Sequence, residues 1–270
     1  MLSIFMLLIG AFSFLLPDEG NLVQNMGFIG NNPAQTSVKY MEIVGHLGTM
    51  DSKEATLFIS SNRIFIKSTY ISFGEIEVRG SVPEDNNMVA SYPYLFNVEI
   101  GSNMNLTDKA VIGASLGMFE QRILTDVLKG YLFNLGGTYR IKSIFLSGYV
   151  RNIGSRVGYV ENEKYSLPTY SAFCGTYSSG KEFFTVGVGL VNFSTSNLSM
   201  FAGYNRKISR FFSLGGEFIT ERDFSVGYRV KYPLRFMLAF RKNRTHIGIR
   251  FDVPFGGFDI KSHAYLGVGL

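Results

Sequence analysis

Between Asp223 and Val253 hydrophobic and polar positions alternate. Phe224, Val226, Tyr228, Val230, Leu234, Phe236, Leu238 and Phe240 occupy the even positions, and Asp223, Ser225, Gly227, Arg229, Lys231, Arg235, Met237, Ala239 and Arg241 the odd ones. After Lys242-Asn243 the phase flips, and Thr245, Ile247, Ile249, Phe251 and Val253 alternate with Arg244, His246, Gly248, Arg250 and Asp252. A period of two places one apolar and one polar face on a sheet. Tyr232-Pro233 and Lys242-Asn243 supply turns. The pattern predicts an antiparallel meander whose strands, about 9–11 residues each, are long enough to cross a bilayer when tilted.

The same alternation recurs upstream. Tyr92, Tyr94, Phe96, Val98 and Ile100 share a face opposite Asn97 and Glu99, and Ala110, Ile112, Ala114, Leu116 and Met118 form another set. Further sets run through Tyr131–Tyr139, Ile144–Val150, Phe184–Leu190, Leu198–Tyr204, Phe212–Phe218 and Ala264–Leu270, and Thr169–Tyr177 is strand-like but mixed. Arg63–Phe73 is β-rich, with Glu54–Ser60 as its expected partner. Met118–Lys129 reads as a short helix within a long loop. Ser81–Ser91 and Gly154–Ser166 are polar loops, and Asn31-Asn32-Pro33-Ala34 is a turn signal. Thr36–Met50 has no clean period. The expected fold is all-β, a single transmembrane antiparallel barrel of about 14 strands (range 12–16), with an irregular plug-like segment over about residues 20–50.

Composition agrees with an envelope protein. The chain has 270 residues, 46% apolar and only 17% charged, with 30 Gly, 15 Tyr, 25 Phe and no Trp. No 18-residue apolar run follows the N-terminus, which argues against membrane helices. Met1–Leu16 reads as a signal peptide, with Ala11-Phe12-Ser13 as the cleavage site and residues 14–270 as the mature barrel. The net charge of +5 is dispersed along strands, a poor footprint for nucleic acid. One cysteine, Cys174, excludes an internal disulfide and a cysteine-rich metal site.

Alternation alone fits a soluble sandwich equally well. Three features favour lipid. About fourteen strands close around a lumen too wide to fill as a dry core. Glu217, Arg229, Arg235 and Arg250 recur in mid-pattern on the polar face, as a wet lumen requires. The chain ends on a strand carrying Val268 and Leu270 on its apolar face.

Thr36-Ser37-Val38-Lys39-Tyr40-Met41 followed by Gly45-His46-Leu47-Gly48 resembles the small-residue segment that opens PorV/PorQ-type proteins of the FadL superfamily. Asp51–Phe58 is similar to the acidic turn and strand that follow there. Tyr149–Gly154 resembles the family's Asn-Ile-Gly strand end, and Ser166-Leu167-Pro168 its Leu-Pro before the next strand. In the family, Asn-Pro-Ala follows the acidic turn. Here Asn32-Pro33-Ala34 precedes it, and Ser60-Ser61-Asn62 stands at the later position. The resemblance implies a monomeric barrel, partly plugged by its N-terminal segment. It implies one of two roles: passage of hydrophobic small molecules, or service in protein secretion and surface attachment.

Candidate chemistry is sparse. His246 shares a face with Asp252, but no nucleophile is placed beside it, so a lumen network explains it better than a catalytic pair. Three scattered histidines, His46, His246 and His263, make no metal site. No enzyme activity, metal or cofactor is expected. The lumen-facing polar candidates are Glu217, Asp223, Arg229, Lys231, Arg235, Arg241, Arg244, His246, Arg250 and Asp252. Their basic excess would draw anionic groups such as a carboxylate head. Gly45, His46 and Gly48 are the plug-segment candidates, for close backbone packing. The expectation is a monomeric outer-membrane pore for small amphiphilic or hydrophobic molecules, with membrane lipid as its surroundings. A secretion-accessory barrel bound to a secreted envelope protein, and a secreted soluble β-sandwich, are the alternatives.

Overall fold

The alternation reappears as strand pairing. A computed structural model describes residues 32–35, 40–47, 53–61, 63–78, 89–123, 126–153, 156–158, 164–166, 169–191, 194–209, 211–223, 227–228, 234–242, 245–253 and 261–269. The strands are β1 (Tyr40–Leu47), β2 (Lys53–Ser61), β3 (Ile64–Ser72), β4 (Ile76–Val78), β5 (Val89–Ser91), β6 (Tyr94–Asn105), β7 (Ala110–Ile123), β8 (Asp126–Ile141), β9 (Ile144–Arg151), β10 (Arg156–Gly158) and β11 (Lys164–Ser166). They continue with β12 (Tyr170–Ser178), β13 (Glu182–Val191), β14 (Ser194–Lys207), β15 (Phe212–Asp223), β16 (Gly227–Tyr228), β17 (Leu234–Lys242), β18 (Thr245–Val253) and β19 (Lys261–Gly269). Seventeen of them form one antiparallel sheet, and β4 and β5 form a separate pair. No α-helix occurs among the described residues.

Long strands pair with their neighbours in chain order, and β1 pairs with both β2 and β19. Turns between β2–β3, β6–β7, β8–β9, β12–β13, β14–β15 and β17–β18 are short and share one end of the sheet. The long connections between β3–β6, β9–β12, β15–β17 and β18–β19 lie at the other.

Apolar side chains populate the exposed face. Ile66, Ile100, Leu116, Tyr131, Val186 and Ile247 are all about half exposed or more, whereas Asn97, Glu99, Ser115, Asn134, Thr185 and Asn205 are buried on the opposite face. At the long-loop end this polarity inverts. Leu95, Phe119, Leu128 and Leu132 are buried there, with Glu120, Arg122 and Lys129 on the outer side. Tyr70 and Tyr94 stack at that level with centroids 6.1 Å apart. Tyr139, Tyr177, Phe184, Tyr204, Phe212 and Phe240 are exposed at the short-turn end.

Four expectations need correction. Met118–Lys129 is not helical. It joins two strands, because its apparent helical spacing is the polarity inversion of β7 and β8. Tyr40–Leu47 is not an irregular segment but a strand held on both sides, so Gly45 and His46 stand on β1 rather than in a plug. Gly48 lies outside the described residues. Of the strand expected over Asp223–Lys231 only Asp223, Gly227 and Tyr228 are among the described residues, and Asp223 is the last residue of β15. Gly227–Tyr228 folds back on Arg222–Asp223, and β15 pairs directly with β17. Within the polar stretch Gly154–Ser166, β10 and β11 make a short hairpin. The signal peptide (1–13) and the Tyr232-Pro233 turn fall outside the described residues.

Candidate functional site

The buried face between β6 and β9 carries a polar network built on Glu99. Its carboxylate is fully enclosed. Oε1 accepts hydrogen bonds from Ser115 Oγ at 2.5 Å and Asn134 Nδ2 at 3.0 Å, and Oε2 pairs with Arg151 Nη2 at 2.9 Å. Ser115 and Asn134 are direct cross-strand partners, so the register of β7 on β8 aligns both donors. Asn134 Oδ1 in turn accepts the backbone N–H of Asn152 at 3.0 Å. Asn152 takes φ of 60°, a left-handed conformation that asparagine tolerates better than most residues. One carboxylate thus fixes four strands and the start of the β9–β12 connection. Burying a carboxylate this deeply is costly unless partners replace water, and here Ser115, Asn134 and Arg151 supply them.

One turn further along the same face sits Asn32-Pro33-Ala34, where Pro33–Gln35 forms a 3-10 turn. Asn32 and Ala34 are buried. The Asn32 amide Nδ2 donates to Ser147 Oγ at 2.8 Å and lies 3.3 and 3.4 Å from the carbonyls of Gly137 and Gly148. Its Oδ1 accepts the Ala34 N–H at 2.9 Å, closing the turn on itself. The wall admits this turn because it lacks side chains there. A Cβ at Gly136 would overlap Asn32 Oδ1, and one at Gly113 would overlap the Pro33 carbonyl.

Opposite the turn, on the exposed side, lies an apolar groove of about 1310 Å³. Exposed-face residues Ile112, Leu135, Phe173, Val186 and Met200 line it, and so do buried-face Gly113, Ser147 and Cys174. Register explains how both faces meet in one groove. Gly113 opposes Gly136, Gly137 opposes Gly148, and Cys174 opposes both Ser147 and Gly187. Glycines on five neighbouring strands thin the wall there, and what covers them comes from elsewhere, the Asn32 turn on Gly136 from the inside and the Phe173 ring on Gly148 from the outside. Groove and turn occupy opposite sides of that thin region.

The residues singled out from the alternation sit elsewhere, on β15 to β19. Register places Glu217, Arg235 and Asp252 in one cross-strand row, continued by Lys261. The row alternates in sign rather than being uniformly basic. Arg241 opposes His246, and Asp223 opposes Asn197 and Gly227. Arg250 is buried and opposes Met237 and His263, and His263 opposes His46. Arg229, Lys231 and Arg244 lie outside the described residues. Sequence reasoning placed Glu99 on the polar face and Asn32-Pro33-Ala34 in a turn, without joining them to a site. Among the described residues no cluster of three or more His, Cys, Asp or Glu side chains is suited to a metal.

The sequence matches no protein-family model and no curated protein. Solved structures do resemble it. The toluene transporter TodX of Pseudomonas putida superposes with a TM-score of 0.58 at 10% identity, covering 88% of this chain and 91% of that one. The toluene transporter TbuX of Ralstonia pickettii gives 0.60 at 9% identity, covering 90% and 93%. The chain therefore shares the fold of these transporters over nearly its whole length.

Proposed function

We propose that this chain is a monomeric outer-membrane β-barrel of the FadL superfamily that passes small hydrophobic or amphiphilic molecules. The barrel we infer has 14 long strands, the 17 of the main sheet without the short β10, β11 and β16, closed by β1 on β19. The observation that carries the function is the apolar groove at the glycine patch, backed by the Asn32-Pro33-Ala34 turn. At that place the wall between lumen and lipid has little side-chain thickness of its own, with the docked turn on its inner side and the Phe173 ring over Gly148 on its outer side. The transporter fold supports the reading, and so does the exposed apolar band bordered by tyrosine and phenylalanine, which does the work of aromatic girdles without tryptophan. The short turns face the periplasm and the long loops the exterior, as in bacterial barrels generally. Neither groove nor fold favours the PorV/PorQ secretion-accessory role, and the chemistry is transport rather than catalysis.

The test is toluene consumption at low concentration by a host that has a lipopolysaccharide-bearing outer membrane and an intracellular toluene-degrading enzyme. Expression should raise the rate several-fold. Gly175→Phe fills the groove from outside, where a Cβ meets only Leu146 Cδ2 at 3.7 Å. It should remove the gain while the protein keeps the heat-dependent electrophoretic shift of a folded barrel. Equal rates in expressing and empty cells would reject the transport role.

A further inference from the structure

The short-turn end carries a charge asymmetry that passage of apolar solutes does not require. Arg63, Lys109, Lys142, Lys181, Lys207 and Lys242 stand on or beside six successive turns there, and all are exposed. The acidic residues of the described turns and the strand ends flanking them are Asp108 and Glu182. Glu182 is already engaged by Tyr204 Oη at 3.0 Å and Arg206 Nε at 3.7 Å. Arg140 is committed to the Phe145 ring, 5.1 Å from its centroid. None of the six cations is ion-paired among the described residues, although Lys207 Nζ, like Arg140, lies over an aromatic ring, 5.1 Å from the Phe183 centroid. Lys142 sits at φ of 51° in a two-residue turn, a position that favours glycine or asparagine. Turn formation does not account for a lysine there.

A second feature lies at the same rim. An apolar groove of about 720 Å³ runs between β2 and β3, lined by Ile59, Ile64, Ile66, Ser61, Phe65 and Arg63. Its three isoleucines are 36%, 58% and 48% exposed. A cation beside a slot of branched aliphatic side chains matches a phosphate head with an acyl chain below it.

We propose that this rim binds anionic phospholipid, the phosphate on Arg63 and neighbouring turn lysines and one acyl chain along Ile59, Ile64 and Ile66. The proposal rests on the membrane reading above. Lipid is favoured over a soluble polyanion because the cations border the exposed aromatic band directly, at the depth where headgroups lie. Arginine at the groove suits a phosphate because its guanidinium can offer two parallel donors. Each cation near an anionic bilayer surface contributes about a fivefold gain in partitioning.

The experiment is native mass spectrometry of the purified full chain in neutral detergent, titrated with phosphatidylglycerol or phosphatidylcholine of identical chains. Heat-dependent migration, recorded before any lipid is added, tests the barrel itself, so its failure is distinct from failure of lipid binding. Phosphatidylglycerol should be retained about 25-fold better than phosphatidylcholine, since Arg63 and one neighbouring turn lysine act together at about fivefold each. Arg63→Gln should lose about fivefold of that retention, and replacing all six cations by Gln should abolish the preference in a protein that still migrates as folded. Equal retention of the two lipids by a folded barrel overturns the proposal. So does displacement of phosphatidylglycerol by inorganic phosphate or polyglutamate at matched charge, which would mark a site for a soluble anion.

Discussion

Asn32 and Ser147 are 115 residues apart in the chain and 2.8 Å apart in space, joined by one amide-to-hydroxyl hydrogen bond on the buried face. That bond ties the N-terminal turn to the strand pair whose other side lines the apolar groove. Turn and groove therefore form one mechanical unit, and removing the bond should be felt across the wall.

Cys174 reports that coupling directly. It is the single cysteine of the chain, it is buried, and it opposes Ser147 across β9 and β12. Asn32→Ala should speed maleimide labelling of Cys174 at least several-fold in folded protein, because the turn loses the amide that holds it to Ser147, Gly137 and Gly148. Unchanged labelling would show that the turn stays docked without its amide.

The glycine patch makes a paired prediction. Gly136→Ala forces a methyl into Asn32 Oδ1, whereas at the neighbouring Gly137 a Cβ meets only the Val111 carbonyl at 3.8 Å. Urea unfolding in lipid vesicles should therefore show Gly136→Ala destabilised by about 1–3 kcal/mol, the usual cost of overpacking, and Gly137→Ala much less. Similar losses for both would mean that the turn does not dictate the glycine.

Glu99 and Arg151 form an enclosed pair, with side chains 0% and 5% exposed. Glu99→Gln alone should cost about 3–5 kcal/mol, because the guanidinium is left buried without its counter-charge. Glu99→Leu combined with Arg151→Met should cost less than the sum of the single changes in a double-mutant cycle. Strict additivity would show that the two residues act independently.

On the far side of the sheet, Arg235 and Arg250 test whether buried-face charge sets ion preference. Replacing both by Gln should leave membrane insertion intact and move the reversal potential of single channels toward cations, since lumen charge tunes selectivity. An unchanged reversal potential would assign the pair a purely structural role.

Strand positions and face polarity were legible wherever the two faces differ in kind. The run from Tyr94 to Met118 and the two strands after Tyr232 are found where alternation placed them. The misreadings have physical causes. Phe119, Leu128 and Leu132 invert the pattern, because at the long-loop end they turn to the enclosed face, beside Gln121 and Arg151, while Glu120, Arg122 and Lys129 take the outer one. Residues 40–47 look irregular because Gly45 and His46 break the period, yet β2 and β19 hold them as a strand, with pairing overriding local preference. The turn at Asn32 was visible, but its docking partners lie more than a hundred residues away, a distance that no local pattern encodes. Glu99, likewise, showed as one charge on a polar face, whereas its meaning depends on the register of three other strands.

Along β7 the exposed face reads Ala110, Ile112, Ala114, Leu116 and Met118, then Glu120 and Arg122. The apolar portion spans about 27 Å of strand, about 21 Å once tilted, close to the ~25 Å apolar band of such barrels. In the proposed membrane setting Met118 and Glu120 straddle a waterline. Below it the sheet is sorted by oil, and above it by water, with greasy side chains turned inward as in a cytosolic protein. One hairpin obeys both solvents, so the same substitution changes sign with height. A leucine at Glu120 would be as misplaced as a glutamate at Leu116.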